Sequence, residues 1–190
     1  VLITLISTIV APYAYKSVGN EIPKEHHTLF YAAYLLCVTG LMGVVITGDV
    51  FNVFVFLEIS SLASYVLISL GSHRDKRALT SAFNYLIIGT IGATFFVIGI
   101  GLLYMVTGTL NMIDMAGLLE GKSSSSTVRS AFAFIIVGVG LKLAIYPLHI
   151  WLPKAYTFAP SFITAFLAAT ATKVAIYILL RFMFTIFRPS

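Results

Sequence analysis

Charged residues make up only 10% of this 190-residue chain, against about 25% in a typical soluble domain. With 59% hydrophobic residues and a mean hydropathy of +0.99, that scarcity excludes a water-soluble globular domain. A single cysteine excludes a disulfide framework and a cysteine-rich metal site; Cys37 lies in an apolar run and reads as packing. There is no cysteine cluster, no haem-ligand pattern and no glycine-rich loop after a strand, so no cofactor is expected in this chain. His26 and His27 are adjacent in a polar loop with no third ligand, so no metal site is expected either. The net charge is +5, but its lysines and arginines are dispersed among loops and helix ends, which argues against a nucleic-acid partner. The chain lacks a starting Met and a charged n-region. Its opening apolar stretch is therefore not a signal peptide, and the chain reads as a piece of a longer protein.

What remains is an all-α, polytopic membrane bundle. Apolar runs near the ~20 residues needed to span a bilayer predict about six helices: a partial one over 1–15, then 28–47, 50–70, 79–106, one from 129 to at least 146, and 161–187. Residues 1–190 form one transmembrane domain. Lys16–His27, His73–Arg77 and the proline-punctuated segment Pro147–Pro160 read as connections, and Gly48-Asp49 as a tight turn whose aspartate caps the next helix. The stretch Gly108–Thr127, with its serine run Ser123–Ser126, reads as a flexible linker. Glycines 89, 92, 99 and 101 predict close helix packing in lipid. Lys16, Lys24, Arg74, Lys76, Arg77 and Lys154 fall on one side, six against Lys122, Arg129, Arg181 and Arg188 on the other. The positive-inside rule puts loops 16–27 and 71–78 in the cytoplasm of a cell membrane.

Three charges interrupt the apolar runs: Glu58, Lys142 and Lys173. A charge at bilayer depth costs at least ~2.5–3.5 kcal/mol. At ~1.5 Å per residue, Glu58 lies about 13 Å past Asp49, Lys142 about 20 Å past Arg129 and Lys173 about 18 Å past Ser161. All three fall in the middle of a ~30 Å core, too deep to snorkel easily. Pro147, Pro153 and Pro160 remove backbone donors just after Lys142. The helix carrying Lys142 is therefore expected to be discontinuous, a feature that marks binding sites in transporters.

Lys142, Pro147-Leu148-His149, Trp151-Leu152-Pro153, Ala155, Ala159-Pro160 and Thr172-Lys173 through Arg181-Phe182 together resemble the proton-translocating antiporter-like subunits. These occur in respiratory complex I, in Mrp-type cation/proton antiporters and in membrane-bound hydrogenases. Glu58, in Phe54-Val-Phe-Leu-Glu58, sits where that family has its membrane glutamate, and Thr107-Gly108-Thr109-Leu110 fits the loop after the next helix. The resemblance implies a fragment covering the third to eighth of fourteen helices, with 28–187 resembling the first of two inverted five-helix repeats. It also implies partner membrane subunits and H+, with Na+ as an alternative ion. Two departures stand out. Complex I relatives usually read Leu-Pro-Asp-Ala-His where this chain has Leu152-Pro153-Lys154-Ala155-Tyr156, and many carry proline where Ala144 stands. Ala155-Tyr156 and Gly48-Asp49-Val-Phe-Asn52 lean toward the Mrp D subunit or its hydrogenase counterpart.

The relay implied is Glu58, Lys142 and Lys173, with His149 and Thr172 as relay or gate groups. The two lysines are expected to share one interior pocket, with Glu58 within a water or two of Lys142. Plainer readings stand beside each: Glu58–Lys142 as a static lock, Lys173 held by carbonyls, and His149 donating to a broken-helix carbonyl. Trp151 reads as an interfacial anchor. The function is then proton translocation in a redox-coupled complex, or Na+/H+ exchange with no redox partner, or a structural subunit with silent charges. No redox chemistry is expected in the chain itself, although the parent complex could be an oxidoreductase.

Overall fold

The computed structural model describes residues 1–122 and 125–187; Ser123 and Ser124 of the serine run, and Arg188 of the loop charges, lie outside them. The chain folds into eight helices among the described residues: α1 Leu2–Glu21, α2 His27–Ile46, α3 Val50–Ser69, α4 Arg77–Thr107, α5 Met112–Leu119, α6 Ser126–Leu143, α7 Trp151–Phe158 and α8 Ser161–Arg181. The last continues as π-helical turns over Phe182–Phe187. Among the described residues, six segments are long and apolar enough to cross a membrane. The protein is an all-α multi-pass membrane bundle, as the apolar runs predict.

The most extensive helix contacts are α4 with α6 and α2 with α3. Glycine makes the first of these possible. A Cβ at Gly138 of α6 would lie 2.6 Å from the carbonyl oxygen of Gly92 on α4, so only two bare backbones fit there.

The order of the helices gathers the connections at two ends of the bundle. At one end the rings of His26 and His73 lie 4.7 Å apart, and Arg74 sits 4.0 Å from Glu21. The N-terminus of α8 has no capping side chain of its own. Instead Glu21 of α1 accepts from the Ser161 N–H at 2.9 Å, and the Ser17 hydroxyl oxygen accepts from the Phe162 N–H at 3.3 Å. A carboxylate at a helix N-terminus also complements its dipole. At the other end Asp49 caps α3 by accepting from the Asn52 N–H at 2.8 Å, and Arg181 donates to the Thr47 carbonyl at 2.7 Å.

Three expectations need correction. First, α1 does not stop near Tyr15 but continues to Glu21, because Ser17, Val18 and Glu21 find partners or burial against α8. Second, Gly108–Thr127 is not simply a linker. Asn111 accepts from the N–H groups of Ile113 and Asp114, and the amphipathic α5 follows with Met112, Met115, Ala116 and Leu119 buried. That spacing is the i, i+3, i+4, i+7 stripe of a half-buried helix. Third, Pro153 breaks nothing. It lies in the first turn of α7, where its missing N–H would have no helical partner.

Candidate functional site: a buried ion pair beside a broken helix

Glu58, Ser61 and Tyr65 project from one face of α3, at i, i+3 and i+7. Lys142 reaches that face from the last turn of α6. Its Nζ lies 3.2 Å from Glu58 Oε1, donates to Ser61 Oγ at 2.6 Å and to Tyr65 Oη at 3.4 Å. The ammonium's three protons thus meet three acceptors. The Ser61 hydroxyl spends its own proton on the Leu57 carbonyl, which leaves a lone pair for the lysine. The Lys142 side chain is 7% exposed and that of Glu58 20%. Gly89 of α4 makes room for the group: a Cβ there would collide with the Tyr65 hydroxyl and lie 3.5 Å from Lys142 Nζ. Of the predicted groups, Glu58 and Lys142 meet directly. Ser61 and Tyr65 escape the sequence reading, although their spacing from Glu58 is readable there.

One residue past the end of α6 the chain turns. Ala144 takes the left-handed conformation, φ 58 and ψ 44. The Ile145 N–H bonds to the Gly140 carbonyl at 3.0 Å, and the Ala144 N–H to that of Leu141 at 3.3 Å. This is the Schellman pattern, which normally uses glycine at the left-handed position. The proline of the complex I pattern, fixed near φ of about −65°, cannot make this turn. An L-residue in that conformation costs roughly 1–2 kcal/mol. Ala144→Gly is therefore expected to stabilise the protein by about 1 kcal/mol, read as a rise of the thermal midpoint by circular dichroism in detergent. A fall would show that the turn is not held this way.

Trp151, the first residue of α7, ties the two half-helices together. It is 4% exposed, so it is not an interfacial anchor. Its indole N–H donates to the Leu141 carbonyl at 3.0 Å, taking the role considered for His149. Its ring stacks on Tyr85, centroids 4.1 Å apart, and Tyr85 meets Tyr65 edge-on at 4.6 Å. The break is thus braced through two tyrosines to the ion pair. Trp151→Phe keeps the stack and drops the N–H, while the Leu141 carbonyl keeps its bond from the Ala144 N–H, so a loss of about 0.5–1.5 kcal/mol is expected for the one hydrogen bond removed, again read from the thermal midpoint. An unchanged midpoint would mean the bond contributes nothing.

Lys173 does not share the pocket of Lys142. It is exposed on the surface of the bundle, and its Nζ donates to the Ala168 carbonyl at 2.6 Å and to Thr172 Oγ1 at 3.3 Å. Lys142 lines a cavity of about 30 Å³, room for one or two waters. The face that α8 turns to it carries Ala171, Val174, Ala175 and Ile178. Adjacent positions on a helix differ by about 100°, so Lys173 points away, into a separate apolar cavity of about 220 Å³ between α1, α2 and α8. Thr172 bonds back to the Ala168 carbonyl at 3.4 Å. His149 lines neither cavity; it packs on Tyr146 with centroids 5.5 Å apart, and its Nδ1 is buried without a hydrogen-bond partner. Pro147 lies in the break itself, and Pro160 between α7 and α8. Among the described residues no group of three or more His, Cys, Asp or Glu is placed to hold a metal.

Six membrane spans with a Glu–Lys pair buried beside a broken helix define the class of antiporter-like membrane proteins. The chain belongs to the family described as NADH:quinone oxidoreductase/Mrp antiporter, TM, which it matches over residues 47–190. It is similar to NADH-quinone oxidoreductase subunit N of Desulforudis audaxviator (strain MP104C), 45% identical across 97% of this chain and 36% of that protein. It is 34% identical to the D subunit of the Na(+)/H(+) antiporter of Bacillus subtilis (strain 168), across 96% of this chain and 36% of that one. It superposes on a chain of the membrane-bound sulfane sulfur reductase, an archaeal respiratory membrane complex, with a TM-score of 0.85 and 31% identity, covering 100% of this chain and 37% of that one. The chain thus spans about a third of the length of the proteins it matches. Identity is higher to the oxidoreductase protein than to the antiporter one.

Proposed function

We propose that residues 28–187 form the first of two inverted five-helix repeats of a proton-translocating membrane subunit. In this reading the Glu58–Lys142 pair is the switch and Lys173 the next proton station. The observation that carries it is the pair itself: an ammonium and a carboxylate 3.2 Å apart, at bilayer depth, beside a break in the helix that bears the lysine. A carboxylate ~4 Å away favours the ammonium by about 4 kcal/mol at an effective dielectric of 20. With the pair closed, Lys142 keeps its proton. With the pair opened, a buried ammonium has lost its main support and gives the proton up. Thr172, in contact with Lys173, would help hold it, and His149 would act as a gate only if the break rearranged. In this reading any redox step belongs to other members of the complex. Loops 16–27 and 71–78 are assigned to the cytoplasmic face.

A second reading is Na+/H+ exchange without a redox partner, favoured by the likeness to the antiporter's D subunit. Purifying the parent complex and identifying its subunits separates the two: redox subunits support the first reading, their absence the second. Proton flux in vesicles, driven by electron donor or by a Na+ gradient, must agree. No flux under either drive would leave only a structural role with silent charges.

A further inference from the structure

The two lysines occupy neighbouring cavities that share one residue of α8. Ala171, Val174, Ala175 and Ile178 face the cavity of Lys142. Thr170, Lys173, Val174 and Tyr177 face the cavity of Lys173. Both sets follow i, i+3, i+4, i+7, and these adjacent helical stripes overlap at Val174. On α2 the same division falls between neighbours: Val44 faces the first cavity and Val45 the second. Val174 is 5% exposed. The first cavity offers hydroxyl oxygens, from Ser60, Ser61 and Ser64; the second is apolar apart from Lys173, Thr170 and the Tyr177 hydroxyl. A branched alkyl group therefore stands between two lysine-bearing cavities, with no polar atom of its own to hold a water.

We propose that Val174 is an apolar gate between Lys142 and Lys173, closed in this structure, which water must pass for a proton to move between them. Apolar constrictions of this kind block conduction by excluding water. The gate rests on the relay reading above. It adds that Lys142 cannot leak its proton to Lys173 unless the valine moves aside, so opening of the ion pair and wetting of the gate must coincide.

The test uses the whole parent complex in vesicles with a pH-sensitive dye inside. Val174→Thr keeps the shape and adds a hydroxyl. It should raise the passive proton leak roughly tenfold, the factor given by ~1.4 kcal/mol off a barrier. Val174→Ala, which removes two methyl groups, should do the same. Adding Lys173→Met to either variant should return the leak to the wild-type level, because the path runs through Lys173. If both single variants leak no more than wild type in fully assembled complex, the gate is wrong. A leak that survives Lys173→Met also overturns it, since that water path avoids Lys173. Glu58→Gln measured alongside keeps the two proposals apart: transport-dead Glu58→Gln with a silent Val174→Thr sinks the gate alone, and wild-type transport in Glu58→Gln sinks the relay beneath it.

Discussion

Glu58→Gln is expected to lower proton transport by the parent complex at least tenfold while the complex still assembles. Glutamine keeps the length of the side chain and an oxygen that can accept from Lys142 Nζ, now 3.2 Å from Glu58 Oε1. Ser61 and Tyr65 remain as acceptors at 2.6 and 3.4 Å. Shape and hydrogen bonds therefore survive, and only the negative charge is lost. The lysine can discharge the strain of a lone buried charge by releasing its proton, which limits the harm to stability. It cannot then be recharged on cue, because the charge that favoured protonation has gone. The check is flux normalised to the amount of assembled complex. Wild-type flux at normal levels would reduce the pair to a structural lock.

Lys142→Ala is expected to abolish transport and also to destabilise the protein. Glu58, with its side chain 20% exposed, would lose its cation, and Ser61 and Tyr65 would lose their donor. Removing one partner of a buried pair costs about 3–5 kcal/mol. The difference from Glu58→Gln is informative: the alanine variant should show both a lower thermal midpoint and no flux, the glutamine variant chiefly no flux. A Lys142→Ala protein with an unchanged midpoint would mean the pair is far weaker than its geometry implies.

The spans and the pairing of Glu58 with Lys142 are legible in the sequence because a charge in an apolar run has few places to go. The break after Lys142 is legible from Pro147. The aim of Lys173 is not. It depends on a rotation of about one residue around α8, and the apolar pattern of α8 does not single out one inward face. Trp151 misleads for a related reason: a tryptophan near a helix end suits a bilayer interface, and only the path of the broken chain brings its N–H to the Leu141 carbonyl. The helix α5 announces itself through Asn111 and the four apolar positions after it, but the serines beyond favour a linker.

The most direct test of the switch is proton flux through the parent complex carrying Lys142→Arg. Arginine keeps a positive charge beside Glu58 and so preserves a static ion pair, but it does not give up its proton in a protein. If Lys142 works by releasing and regaining a proton, flux falls to nearly the level of Lys142→Ala while the thermal midpoint stays closer to wild type. Wild-type flux in the arginine variant would contradict the account, because a fixed charge would then be enough.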